Sequence, residues 1–116
     1  MKYQASAKTL YYVAVDVDKA FVDTYLFGQF LRRKLQDKLR THTVVLLTVH
    51  SRTTRMCVLN GFEYRQVALS AIAGLANECI GFSQGPSDVV AHCAFHGVKT
   101  RQVMYQTASM PVALIA

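Results

Sequence analysis

The chain has 116 residues, 52% of them hydrophobic and 17% charged, proportions that fit one α+β domain over residues 1–116 and exclude a disordered segment. No apolar run approaches the roughly 18 to 20 residues of a membrane span, and the N-terminal MKYQASAKTLYYVAV lacks the apolar core and cleavage site of a secretory leader, so the expectation is a cytoplasmic protein without a membrane partner. The formal charge of +6 favours anionic partners, and three cysteines, Cys57, Cys79 and Cys93, form an odd set without a CxxC pair, which points to a reducing compartment.

Taken in chain order, Thr9 to Val17 alternates, with Tyr11, Val13, Val15 and Val17 on one side and Tyr12, Ala14 and Asp16 on the other, and reads as a strand with one face in the core. Asp18 then offers a helix N-cap, with Val17 and Val22 placed as a hydrophobic staple, and the helix is expected from Lys19 to Leu39. Its apolar stripe is Phe27, Leu31, Leu35 and Leu39, and Gly28 marks a close packing point. His42 to His50 is rich in β-branched residues and reads as a buried strand. Ser51 to Thr54 reads as a turn, and Arg55 to Leu59 as the returning antiparallel strand.

At Asn60-Gly61 two readings compete, a hairpin turn and a capping box formed with Glu63. A helix from Gly61 to Phe82 is preferred, because the cap and staple signals agree with the apolar run that follows: from Val67 to Ile80 Glu78 alone carries a charge, and the apolar surface wraps almost fully around. Gly81 would cap that helix and residues 83–88 would form a loop. Asp88 to Val98 and Lys99 to Ala108 then read as strands joined near Gly97, with 110–116 an edge strand or an exchanged arm.

This order predicts a ferredoxin-like β-α-β-β-α-β-β sandwich, with two helices on one face of an antiparallel sheet and the other face open. A helix apolar on all sides in so short a chain predicts a homo-oligomer, with Ala71, Gly74 or Glu78 at the subunit contact.

The chemistry divides into three groups. Asp16 and Asp18 form a D-x-D at a strand end, where two carboxylates can share Mg²⁺ or Mn²⁺. The stretch VAVDVDKAF resembles the first metal-binding motif of palm-type nucleotide polymerases and cyclases, which implies metal-dependent phosphoryl chemistry at Asp16 and Asp18. Those families carry a further acid on a later hairpin or strand, and HSRTTR has none. In the competing reading Asp18 caps the helix and Asp16 lies on the open face. His92 and His96 on a strand stand about 13 Å apart, too far to ligate one ion, and Cys93 between them points into the core.

The third group is basic: Arg32, Arg33, Lys34 and Arg40 near one helix end, with Arg52 and Arg55 on the hairpin, would form one anion-binding patch if those elements adjoin. Tyr12 is the one aromatic that the open face offers for stacking on a base. No catalytic set or cofactor motif assembles from these residues. The leading expectation is a non-catalytic, homo-oligomeric binding or assembly module for an anionic partner, nucleic acid or a nucleotide. One alternative is a metal-dependent enzyme acting on a phosphorylated small molecule, with Asp16 as ligand and His50, His92 or His96 as acid-base groups in an inter-subunit pocket. The other is a purely structural subunit.

Overall fold

Strand β1, Thr9–Val17, has the predicted boundaries, but from Val13 onward both of its faces are buried. The computed structural model describes residues 8–18, 23–82 and 85–103. Asp23 caps helix α1, Thr24–Lys34, by accepting the Leu26 N–H at 3.0 Å. The chain breaks at Leu35 and resumes as α2, Gln36–Thr41, before β2, His42–Thr48. The continuous helix capped at Asp18 is thus corrected to two helices capped first at Asp23; its expected start at Lys19 and the staple residue Val22 lie outside the described residues. The stripe itself holds, with Phe27, Leu31 and Leu35 buried and Leu39 partly so.

Ser51–Leu59 is helix α3 rather than a turn and an antiparallel strand. Its buried residues Thr53, Met56 and Cys57 follow helical spacing, which decides against the β preference of the threonines. Asn60-Gly61 is neither a hairpin nor a helix start. It ends α3: Gly61 sits at φ +75°, and Phe62 N–H donates back to the Cys57 carbonyl at 3.1 Å. Gly97, at φ +80°, closes α5, Asp88–Phe95, in the same way, with Val98 N–H on the Cys93 carbonyl at 2.9 Å. After each glycine the chain enters a strand.

The predicted helix from Gly61 to Phe82 resolves into three pieces: β3, Glu63–Gln66; α4, Leu69–Leu75; and β4, Glu78–Phe82. Every residue of β4 is buried. An apolar segment without a polar stripe is here a central strand covered on both faces, the usual state of strands in parallel sheets. The last described element is β5, Lys99–Gln102; the expected continuation to Ala108 and the arm at 110–116 lie outside the described residues.

Among the described residues the sheet has five strands in the order β3-β2-β1-β4-β5, and every pairing is parallel. This overturns the antiparallel ferredoxin-like sandwich. Parallel neighbours need a crossover, and α3, α4 and α5 supply helical segments for those that follow β2, β3 and β4. Both faces carry packed helices. Val13, Val15, Leu46, Ile80 and Phe82 pack against Phe27 and Leu31 of α1 and Met56 of α3, while Ala14, Leu47 and Cys79 pack against Ile72 of α4 and Val89 and Cys93 of α5. Among the described residues no helix is long and apolar enough to cross a membrane.

Gly28 is the close approach that the sequence marked. Asn60 sits against it, its Nδ2 donating to the carbonyls of Thr24 at 2.9 Å and Met56 at 3.0 Å, and a Cβ on residue 28 would lie 2.6 Å from the Asn60 Cγ. Gly28→Ala gains helix propensity of about 1 kcal/mol. It also drives Asn60 off its two carbonyls and overpacks the α1–α3 contact, which costs more. A net loss of about 2 kcal/mol is expected, read as a lower urea midpoint with unchanged m-value; a midpoint equal to or above wild type would refute the wedge.

Candidate metal centre at the carboxyl edge of the sheet

From β1 the chain adds β2 and β3 on one side, then returns to place β4 on the other side of β1. The segments that leave the carboxyl ends of β1 and β4 therefore diverge, and a crevice opens where the order reverses, the usual ligand position in open parallel sheets. Here it is a cleft of about 350 Å³ lined by Asp16, Val17, Asp18, His50, Arg52, Pro86, Ser87 and Asp88.

Asp16, one residue from the end of β1, points to the α5 side and is 6% exposed. Its Oδ2 accepts the Ser87 hydroxyl at 2.7 Å, and its Oδ1 accepts the Thr53 hydroxyl at 3.4 Å. Ser87 is also the α5 N-cap, accepting the Val90 N–H at 3.1 Å, so one hydroxyl both starts the helix and orients the carboxylate. Asp88, in the first turn of α5, places its Oδ1 3.3 Å from Nε2 of His50, which follows β2. Half-buried His50 and exposed Asp88 thus close over the buried Asp16.

One ligand atom from each of Asp16, His50 and Asp88 lies within 4.8 Å of the other two. Two ligands of one ion bound at about 2.0 to 2.2 Å stand roughly 3 Å apart when adjacent and about 4.4 Å apart when opposite, so the trio must draw together to share one ion. Two carboxylates with one imidazole suit Mn²⁺ or Mg²⁺ better than a thiolate-seeking metal. Arg52 lines the same cleft, anchored by its Nη2 on the Val17 carbonyl at 3.0 Å. A cation site beside a guanidinium can hold a phosphate group from both sides.

The sequence pointed to Asp16 and Asp18 as a D-x-D pair and to His50 as one of three acid-base alternatives, and the fold brings all three residues to this cleft. Asp88, Ser87 and Thr53 were missed. The signal for Ser87 and Asp88 was Pro86-Ser87 ahead of Val89 and Cys93, a capped helix with two buried positions four apart, which the strand reading of Asp88 to Val98 concealed. That strand is corrected to α5, and with it the separation of His92 and His96, whose ring centroids are 4.5 Å apart across one helical turn. Neither lines the cleft.

The basic residues divide. Arg52 stands at the start of α3, while Arg32, its guanidinium 4.7 Å from the Phe62 ring centre, donates to the Asn60 carbonyl at the other end of α3, about 12 Å along the helix. Arg33, Lys34, Arg40 and Arg55 are exposed on α1, α2 and α3. Ala71 and Gly74 are exposed on α4; Glu78 is buried in β4 with partners inside the chain. Divided into β3, α4 and β4, residues 61–82 present no continuous apolar helix for a second subunit to cover.

Cysteine nucleophiles have no support in this geometry. Burial pushes the Cys57 thiol up to about 12 and raises those of Cys79 and Cys93, which contact each other in the α5-side core. Glu78 accepts the Tyr11 hydroxyl at 2.7 Å and Arg101 Nη2 at 3.0 Å. Burial first, and then that bond to Glu78, push the Tyr11 phenol from 10.0 up to about 12. A raised folded pKa contributes stability that is whole below pH 10 and lost as pH rises through about 12. Between pH 9 and 12 the urea midpoint of wild type is expected to fall more steeply than that of Tyr11→Phe; parallel curves would contradict the Tyr11–Glu78 bond.

Comparison with protein-family models, curated proteins and solved structures finds no match. The geometry of the cleft is what bears on function.

Proposed function

We propose that this chain is a divalent-metal-dependent enzyme acting on phosphate esters in the cleft at the carboxyl edge of the sheet. The observation that carries the reading is the convergence of Asp16, His50 and Asp88 to within 4.8 Å beside Arg52. Bound there, Mn²⁺ or Mg²⁺ would lower the pKa of a water and polarise a phosphoryl oxygen. Asp16 and Asp88 supply the negative charge that holds the cation, and Ser87 and Thr53 keep the Asp16 carboxylate turned toward it. Arg52 pairs with the non-bridging oxygens and offsets the charge that develops on them. Hydrolysis joins the water oxygen to phosphorus, breaks the ester P–O bond and passes a proton to the leaving oxygen.

The test is release of p-nitrophenolate from bis(p-nitrophenyl) phosphate and p-nitrophenyl phosphate with Mn²⁺, with Mg²⁺ and with EDTA. Turnover that requires the metal supports the reading, and equal rates in EDTA and metal would end it. A second reading, a binding or assembly module for nucleic acid or a nucleotide, draws on the exposed Arg33, Lys34 and Arg40. Metal binding without turnover, joined to salt-dependent oligonucleotide binding that Arg33→Ala and Lys34→Ala weaken, would favour it.

A further inference from the structure

A second cleft, of about 400 Å³, lies on the sheet itself and shares no lining residue with the metal centre. Its floor is one row across three strands, since Tyr12 pairs with Val45 and Val45 with Glu63. Arg65, two residues beyond Glu63 on the same face of β3, holds its guanidinium 5.5 Å from the centre of the Tyr12 ring. Phe62 and Tyr64 border the cleft along β3. The floor is rigid: the Tyr12 N–H donates to Asn77 Oδ1 at 2.8 Å, and the Asn77 N–H returns to the Tyr12 carbonyl at 2.8 Å.

We infer that this cleft is a nucleobase-binding subsite, in which a base stacks on Tyr12 and Arg65 and presents an amino or imino N–H to the Glu63 carboxylate. A planar ligand fits a guanidinium laid over an aromatic ring, because both present flat π-faces on which a base can extend the stack. A carboxylate at the rim accepts from a ring-edge donor, and a purely apolar occupant would leave Glu63 and Arg65 without use. The +6 charge of the chain adds attraction for the phosphates that accompany a base. The inference is independent of the metal centre and is tested with metal removed.

The experiment is fluorescence anisotropy of fluorescein-labelled single-stranded decamers, dA and dT, in EDTA, with AMP and the duplex as competitors. Wild type is expected to bind the single strands. Tyr12→Ala weakens that binding about tenfold or more, whereas Tyr12→Phe, which keeps the ring, stays within about twofold. Arg65→Ala, on the exposed edge strand β3, leaves the fold intact and also weakens binding. Displacement by AMP identifies a free nucleotide as sufficient; displacement by oligomers alone, with a salt-dependent affinity, identifies a strand. Absence of binding to decamers and AMP alike, affinity unchanged in both Tyr12→Ala and Arg65→Ala, or duplex competing as well as single strand would overturn the subsite.

Discussion

Asp16→Asn is expected to abolish stabilisation by Mn²⁺. At a metal concentration near 100 times the dissociation constant, a single site that binds only the folded chain adds about 2.7 kcal/mol, which for a domain of this size raises Tm by about 10 °C. The amide keeps the acceptor and the shape but removes the charge on the most buried of the three ligands. Loss of a group that merely orients a ligand commonly weakens metal binding 10- to 100-fold, so loss of a ligand charge should weaken it by about 100-fold or more. The metal-free comparison separates this from a structural effect. In EDTA the variant should melt at or above wild type, because the amide oxygen still accepts from Ser87 or Thr53 and a carboxylate no longer has to be buried. Equal Mn²⁺ shifts in variant and wild type would remove Asp16 from the metal centre, and the enzyme reading with it.

Arg101→Ala is expected to cost about 3 kcal/mol in urea unfolding. Glu78 is 3% exposed, and its charge is matched by the Arg101 guanidinium at 3.0 Å. Removing that cation leaves a buried carboxylate with Tyr11 as its remaining hydrogen-bond donor among the described residues. Breaking a fully buried pair costs about 3 to 5 kcal/mol, and the low end applies because the Arg101 side chain is 37% exposed. The same contact holds the four-residue edge strand β5 to β4. If the penalty is an unmatched charge, adding Glu78→Gln should recover more than half of it, since a neutral amide still accepts from Tyr11. A cost below about 1 kcal/mol for Arg101→Ala, or no recovery in the double variant, would show that water already screens Glu78.

Both sites explain where the sequence misled. Glu78 looked like a lone charge on a helix in need of a second subunit, because helical spacing was applied to a segment that is half strand. The parallel strand β4, covered by α1 on one face and α5 on the other, has no polar side to betray its period. Residues 51–59 and 88–95 erred the other way. Their Thr and Val content favours strands when read locally, yet each carries buried residues at helical spacing, Thr53, Met56 and Cys57 in one and Val89 and Cys93 in the other.

The chain's own pattern determined what depends on near neighbours: the alternation of β1, the β-branched run of β2, the α1 stripe and the turn at Gly97. It also singled out Asp16 with Asp18, His50 among the histidines and Arg52 within a basic group. Strand order, strand direction and the grouping of those residues were decided by the tertiary structure. His50 meets Asp88 across 38 residues and Asp16 meets Ser87 across 71. Contacts at that separation form only because three crossovers place β1 between β2 and β4. The physical reason is that local spacing records which side of a segment is buried, whereas the partner that buries it is chosen by packing the whole sheet.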